Sequence, residues 1–249
     1  MNARYTDTQR RVALENAHNV REIGGYATAS GASTRLGRIF RGDSLHRLSA
    51  HDQARLRERG IRTVIDLRRD DEIASAPNVF ADTQDIAYHH ISLFVTRPSV
   101  GVREGKFPLS LAEVYRYILE TGQAPMHLVM SEILASEGAV LFHCTAGKDR
   151  TGLVAALLLD LAGVDHEDII RDYALTETYI EPLMHELREN RPAAMPLELY
   201  VKLLDAKPEF MRDTLTHLDA TYGGGAGYLR ALGWRDEDVQ RLRDVIVEA

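Results

Sequence analysis

The stretch VLFHCTAGKDRTGLVAALLLDLAG, residues 140–163, contains Cys144, the only cysteine in the chain. A short apolar run leads into this cysteine, a polar loop follows it, and residues 151–162 are apolar on nearly every face. This order predicts a buried strand, a tight loop and a helix that lies in the middle of an α/β fold. The loop and the helix N-terminus would then meet at the carboxyl edge of a sheet, where backbone N–H groups bind anions. The stretch therefore predicts an anion site beside Cys144.

The rest of the chain shows no fixed repeat and no low-complexity segment, so strand and helix signals indicate its organisation. Ser49 and Asp52 form a capping-box pattern that predicts the start of a helix, and Gly60 predicts its end. Further signals are a hairpin leading to a short strand near 38–41, a buried strand over 63–67, a strand at 87–93, and a helical stretch over 109–136 broken near 122–125. We predict one α/β domain over residues 1–249, with a central, mostly parallel sheet flanked by helices.

Composition excludes several classes of function. The chain has 30 basic and 37 acidic residues and a net charge of -7, which argues against a nucleic-acid partner or an anionic membrane surface. A single cysteine excludes an internal disulfide and fits a reducing compartment. The first 20 residues have no apolar signal-peptide core, and the longest apolar run, 153–159, is too short to span a bilayer. We expect a cytoplasmic protein without stable membrane insertion; export without a cleavable signal is the alternative.

The spacing inside the loop predicts the chemistry. Gly147 lets the backbone turn without a Cβ clash, and Arg150 lies six residues after Cys144, where its planar guanidinium can return to bind two phosphate oxygens. Cations and helix N-termini lower the pKa of a cysteine thiol from about 8.5 to roughly 3.5–7.5. The sequence thus predicts a thiolate that attacks phosphorus at neutral pH.

Three other interpretations of these residues are open to a sequence of this kind. A nucleotide-binding P-loop requires glycine and Ser or Thr where this chain has Phe142 and Asp149, so that interpretation fails. An inert buried cysteine is the usual role of a lone Cys, but it does not account for the accompanying His, Gly and Arg. A non-catalytic phosphate-binding module is the third, and it needs no nucleophile, so the pairing of Cys144 with Arg150 disfavours it.

At these residues the sequence resembles the cysteine-dependent protein tyrosine phosphatases, whose loop has His-Cys, five residues, Arg, then Ser or Thr. Here the loop is HCTAGKDRT, residues 143–151. The Lys-Asp pair inside this loop makes it resemble the loop of a bacterial branch of the family, which includes a mycobacterial and a Listeria enzyme. The loop of that branch is similar to HCxAGKDRTG. The stretches NVREIGGY (19–26), IRTVIDLRRDDEI (61–73) and YLRALGWRDEDVQRLRD (228–244) also resemble this branch. The resemblance spans nearly the whole chain and implies a protein tyrosine phosphatase-like fold.

The resemblance implies roles for the loop residues. Cys144 would be the nucleophile that forms a phosphocysteine, and Arg150 would bind the phosphate. The backbone from Thr145 through Ala146 and Gly147 to Arg150 would complete the phosphate cradle. Thr151 would assist the departing thiolate.

Two further loop residues have alternatives. His143 would support the loop, although a buried hydrogen-bonding histidine explains its position equally well. Lys148 would add a cation at the rim, which in this branch is linked to phosphoinositides as well as phosphoproteins; a solvated lysine is its alternative.

The general acid is where the chain departs from better-known tyrosine phosphatases. Those enzymes use a mobile Trp-Pro-Asp loop, but the only tryptophan here, Trp234, is followed by Arg235. The resemblance favours Asp149 as the acid. Asp66, at the end of a predicted parallel strand, is the second candidate for the acid and a candidate substrate-binding residue. It could instead orient Arg68 or Arg150.

The remaining expectations concern a lid and the substrate. Residues 185–225 are rich in charge, with Pro192 and Pro196 separating two helical patterns, and are our candidate for a helical lid. The helical stretch before the cysteine strand and an ordinary packed layer are the alternatives. The His51-Asp52 pair lies in a capping sequence rather than a metal site, so we expect no metal and no cofactor. The expected substrate is a phosphorylated protein or a phosphoinositide, and a dedicated phosphoinositide phosphatase is the alternative.

Overall fold

The structure is a computed structural model that describes residues 5–94, 110–189, 191 and 196–248. Its strands are β1 (Arg21–Glu22), β2 (Ser33–Thr34), β3 (Ile39–Gly42), β4 (Ile61–Asp66), β5 (Ala87–His90), β6 (Ala139–His143) and β7 (Val247–Glu248). Its α-helices are α1 (Asp7–Arg10), α2 (Ala50–Glu58), α3 (Asp70–Ser75), α4 (Leu111–Thr121), α5 (Gln123–Ala135), α6 (Asp149–Ala162), α7 (His166–Tyr179), α8 (Met184–Glu189), α9 (Leu197–Leu204), α10 (Pro208–Tyr222), α11 (Gly224–Ala231) and α12 (Asp236–Ile246).

The main sheet has the strand order β1-β3-β6-β4-β5. Strands β3, β6, β4 and β5 run parallel, and only β1 pairs antiparallel, with β3. The predicted mostly parallel sheet is confirmed. Strand β6 is central and buried throughout, with β3 and β4 as its two neighbours. The segment that follows β6 therefore emerges between two strand ends at the carboxyl edge, where α/β folds bind ligands.

Alternate residues of a strand face opposite sides of the sheet, and both sides are apolar here. Helices cover both sides. On β6, Val140 and Phe142 belong to the larger apolar core, which includes α4, α5, α6, α10 and α12. Leu141 faces the smaller core, which it shares with Leu56 of α2. In the larger core, every residue of α6 from 150 to 159 is buried, as expected for a central helix that is apolar on nearly every face.

The local helix signals are confirmed, with small shifts at the ends. Ser49 caps α2 through a capping box with Asp52, and Gly60 follows the helix with a φ of 78°. The predicted break in the helical stretch is narrower than expected, because Gly122 alone separates α4 from α5. Helix α6 begins at residue 149, two residues earlier than the apolar run indicates. The first residue of the predicted stretch, 109, lies outside the described residues.

The predicted lid divides into two parts with different packing. Residues 190 and 192–195 lie outside the described residues, and α8 buries no side chain. Helix α10, by contrast, packs into the larger core through Met211, Leu215 and Leu218, which are at most 2% exposed. The second half of the range is thus an ordinary packed layer, and the described residues that could still cover the site are 185–189, 191 and 196–205. None of the described helices combines the length and the apolar character needed to cross a membrane.

Candidate active site

The loop between β6 and α6 turns sharply at Gly147, which has a φ of 68°. A Cβ atom at this position would lie 2.5 Å from the carbonyl oxygen of Gly42 and 2.8 Å from the backbone nitrogen of Asp43. Both the positive φ and the contact with the end of β3 therefore require glycine. The role predicted for Gly147 from sequence has this steric basis.

The carbonyl groups of the loop, residues 145–147, are held by hydrogen bonds from outside the loop. Asn19 Nδ2 donates to the oxygens of residues 146 and 147 at 2.9 and 3.2 Å, and Arg41 Nη2 donates to that of residue 147 at 2.8 Å. The backbone N–H of Ser44 donates to the oxygen of residue 145 at 3.0 Å. Among the described residues, no protein acceptor engages the N–H groups of residues 145–148. These N–H groups are therefore available to an anion in the loop.

A buried network of charged side chains supports these contacts, and it includes Arg21 of the stretch NVREIGGY. Arg21 Nε lies 2.9 Å and Arg41 Nη1 2.5 Å from the carboxylate of Asp172, and all three side chains are at most 1% exposed. Burial by itself would raise the pKa of Asp172, but the two guanidinium groups hold it well below its usual value. Sequence reasoning missed Asn19 and Asp172 as supports of the loop, although Asn19 begins a stretch that it did single out.

Cys144 directly follows β6 and is 2% exposed. The hydroxyl of Thr151, in the first turn of α6, is fully buried and has no hydrogen-bond partner among the described residues. A buried hydroxyl without a partner is costly unless it serves another group. No contact among the described residues joins this hydroxyl to Cys144, so the predicted role of Thr151, a hydrogen bond to the departing thiolate, stays a prediction.

Glu72, in α3, is a site residue that the sequence analysis did not assign. Its carboxylate accepts two hydrogen bonds from Arg150, at 2.7 and 2.9 Å, and one from the hydroxyl of Thr145 at 2.5 Å. Burial opposes ionisation, but these donors lower the pKa of Glu72 to about 2. A bidentate pair fixes the plane of the guanidinium. Glu72 lies within the quoted stretch 61–73, but nothing in that stretch pairs it with Arg150, 78 positions later.

We expect Glu72→Ala to raise both KM and the Kd for vanadate roughly tenfold, since hydrogen bonds between charged groups contribute about 1.5–3 kcal/mol. The guanidinium of Arg150 would lose the partner that fixes its plane. Steady-state kinetics and vanadate titration measure both quantities, with the exposed Glu58→Ala in α2 as the control. Tighter vanadate binding in Glu72→Ala would contradict this role and show that the carboxylate competes with the anion.

Asp149 lies at the start of α6 with its side chain one-third exposed. Its Oδ1 accepts a hydrogen bond from the hydroxyl of Tyr115 at 2.5 Å and lies 3.4 Å from Lys148 Nζ. The carboxyl group therefore has one oxygen held by the protein while part of its surface faces solvent. This position suits a group that meets the leaving oxygen of a substrate.

The sequence analysis expects Lys148 either as a cation at the rim or as a solvated side chain, and the structure shows neither. Lys148 is 2% exposed. Its Nζ donates to the carbonyl oxygen of Leu203 and to that of Asp205, the latter at 3.1 Å. The structure thus buries the ammonium group instead of presenting it at a rim or to solvent. Through these contacts Lys148 joins the phosphate loop to the end of α9.

Asp66 and His143 form a buried support behind the loop. Asp66 is fully buried and accepts hydrogen bonds from Arg68 Nη2 at 2.7 Å and from Asn78 at 3.3 Å. Burial opposes the ionised form, but His143 and Arg68 lower the pKa of Asp66 far below its usual value. His143 also bonds through Nδ1 to the carbonyl oxygen of Cys144, at 3.1 Å. This geometry favours Asp66 as a partner of Arg68 over a role as the general acid or a substrate ligand.

The sequence of residues 12–248 matches the model of the tyrosine phosphatase family. The chain belongs to this family. It is 37% identical to a tyrosine-protein phosphatase of Nostoc commune, over 80% of this chain and 70% of that protein. It is 29% identical to the triple specificity protein phosphatase PtpB of Mycobacterium tuberculosis, over 94% of this chain and 98% of that protein. The family assignment makes the protein a phosphatase, as the loop residues predict.

Among solved structures, the chain is similar to TpbA of P. aeruginosa. The two share 18% sequence identity with a TM-score of 0.40, and the match covers 81% of this chain and 94% of TpbA. A likeness at this level is too distant to bear on the site.

Proposed function

We propose that the protein hydrolyses phosphomonoesters, phosphotyrosine among them, in two steps through a phosphocysteine at Cys144. The observation that carries the proposal is the loop itself. Its carbonyl groups accept hydrogen bonds from residues outside the loop. The N–H groups of residues 145–148 have no protein acceptor among the described residues. The same loop joins a nucleophile at the strand end to Arg150 at the start of α6. The single cysteine supports a reducing, cytoplasmic setting for this activity.

In the first step, the Cys144 thiolate forms a bond to phosphorus while the bond from phosphorus to the ester oxygen breaks. Asp149 gives its proton to that oxygen, and the alcohol or phenol leaves. Arg150 and the N–H groups of the loop stabilise the negative charge on the equatorial oxygens.

In the second step, a water molecule attacks the phosphocysteine. The carboxylate of Asp149 takes a proton from the water as the new bond to phosphorus forms. The bond between sulfur and phosphorus breaks, and the hydroxyl of Thr151 donates a hydrogen bond to the thiolate. Inorganic phosphate leaves, and the enzyme returns to its starting state.

The substrate range is proposed to extend beyond phosphotyrosine. The M. tuberculosis relative is named a triple specificity phosphatase, which supports activity on more than one class of phosphomonoester. The alternative is a dedicated phosphoinositide phosphatase. A rim cation at Lys148 would favour it, but the ammonium group donates to backbone carbonyls instead. Rates on phosphotyrosine, phosphoserine and phosphoinositide substrates test this proposal, and activity on phosphoinositides alone would overturn it.

The acid role of Asp149 predicts a dependence on the leaving group. We expect Asp149→Asn to slow hydrolysis of alkyl phosphates such as phosphoserine by roughly 10²–10⁴-fold, while activated aryl phosphates lose far less, because an acid matters more for a basic leaving group. Rates across a series of phosphate esters measure this. Asp66→Asn is the comparison variant, with its Tm recorded because Asp66 is buried. The assignment is wrong if Asp66→Asn shows the leaving-group dependence and Asp149→Asn shows none.

A further inference from the structure

Two buried tyrosines from different helices form a hydrogen-bonded chain that ends on Asp149. The hydroxyl of Tyr115, in α4, lies 2.5 Å from Asp149 Oδ1 and 2.7 Å from the hydroxyl of Tyr173, in α7. The rings pack edge to face, with centroids 6.1 Å apart. Tyr115 is completely buried and Tyr173 is 1% exposed. Neither tyrosine belongs to the phosphate loop, and the sequence analysis gave neither a role.

The direction of these hydrogen bonds follows from the groups involved. An ionised carboxylate only accepts hydrogen bonds, so Tyr115 donates to Asp149, and the oxygen of Tyr115 can in turn accept from Tyr173. Burial, and then the charge of Asp149, raises the pKa of Tyr115 well above the ordinary value for tyrosine. Tyr115 therefore keeps its proton, and remains a donor, over the whole working range of pH.

The contacts also distinguish the two oxygens of Asp149. Oδ1 is held by Tyr115 and lies near Lys148 Nζ. No partner is found for Oδ2 among the described residues. Oδ2 is thus the oxygen that can meet a substrate. Within the part of the chain that the structure describes, the titratable and charged groups that act on Asp149 are Tyr115 of α4, Tyr173 of α7, Tyr200 of α9, Lys148 of the loop, and Arg150 of α6.

We propose that Tyr115 is a positioning residue for the general acid: it holds Oδ1 so that Oδ2 faces the leaving group. This inference rests on the proposed acid role of Asp149. Without the Tyr115 hydroxyl, the carboxyl group of Asp149 would lose the donor that fixes Oδ1, and its orientation towards the leaving oxygen would be less defined.

The test is kcat on a series of phosphate esters in Tyr115→Phe, which removes one oxygen and keeps the ring. We expect kcat to fall several-fold for an alkyl phosphate and to change little for an activated aryl phosphate, because a misplaced acid matters more for a basic leaving group. KM for both esters should stay close to the wild-type value. Tyr228→Phe is the matched control, because Tyr228 is also fully buried and donates its hydroxyl to Leu119 of α4, away from Asp149.

A purely structural Tyr115 would give a different result. It would lower the Tm of Tyr115→Phe and slow alkyl and aryl phosphates to the same extent, and that outcome overturns the inference. The double variant Tyr115→Phe/Asp149→Asn gives a second measurement. Once Asp149 is replaced, Tyr115→Phe should slow the alkyl phosphate no further; the same loss with and without Asp149 again overturns the inference.

The Asp149→Asn variant separates this inference from the function on which it rests. If Asp149→Asn slows alkyl phosphates far more than aryl phosphates but Tyr115→Phe does not, the acid role stands and only the role of Tyr115 is overturned. If Asp149→Asn shows no such leaving-group dependence, the acid role and the inference are overturned together. The same dependence in both variants supports both.

Discussion

Replacement of Cys144 by serine should abolish turnover while leaving phosphate binding nearly unchanged. A serine hydroxyl stays protonated in this setting, so the nucleophile is lost, whereas the N–H groups of the loop and Arg150 remain. The expected fall in kcat on an aryl phosphate is on the order of 10⁴–10⁶-fold, the size seen when a covalent nucleophile is removed. Steady-state kinetics measure the loss, and a phosphate or vanadate titration measures the retained affinity.

The same prediction has a positive counterpart in the wild-type protein. Because Cys144 is the only cysteine, a phosphocysteine trapped by rapid acid quenching can lie at one position only. Peptide mass spectrometry should place the phosphoryl group on residue 144 in the wild type and nowhere in the serine variant. Appreciable turnover by Cys144→Ser, or a phosphoryl group on another residue, would refute the nucleophile assignment.

Arg150→Lys should have the next largest effect, although it preserves the positive charge. Lysine has no planar fork, so it can neither bind two phosphate oxygens at once nor keep the bidentate pair with Glu72. We expect kcat/KM to fall by roughly 10²–10³-fold, the range for loss of a group that stabilises transition-state charge.

The matched control for this variant is Arg47→Lys. Arg47 forms a similar bidentate pair with Glu186, at 2.5 and 2.8 Å, but both side chains are exposed, with 55% and 38% of their surface accessible. Exposed ion pairs contribute about 0–1 kcal/mol, so Arg47→Lys should leave kcat/KM within a few-fold of the wild type. If kcat/KM falls no further in Arg150→Lys than in this control, the loop needs only a positive charge at position 150, and the role of the planar guanidinium is wrong.

Much of the fold was predictable because its signals are local. The capping box at Ser49, the break at Gly122 and the apolar runs on either side of Cys144 each depend on residues within a few positions. The spacing of Cys144 and Arg150 is likewise local, so the sequence alone predicts the nucleophile and the phosphate-binding cation of the proposed mechanism. The lid prediction failed for α10, because a charged helix surface in sequence does not reveal that Met211 and its neighbours pack on α4, α7 and α11.

The sequence by itself determined the strand, loop and helix around Cys144, since backbone turn, helix start and residue spacing are set within one short segment. The tertiary structure alone decided which distant groups act on that loop. Glu72 precedes Arg150 by 78 positions, and Tyr115 precedes Asp149 by 34. Such contacts depend on which strands become neighbours and how the helices pack across them. No local pattern encodes that arrangement, so these partners became visible only in the folded chain.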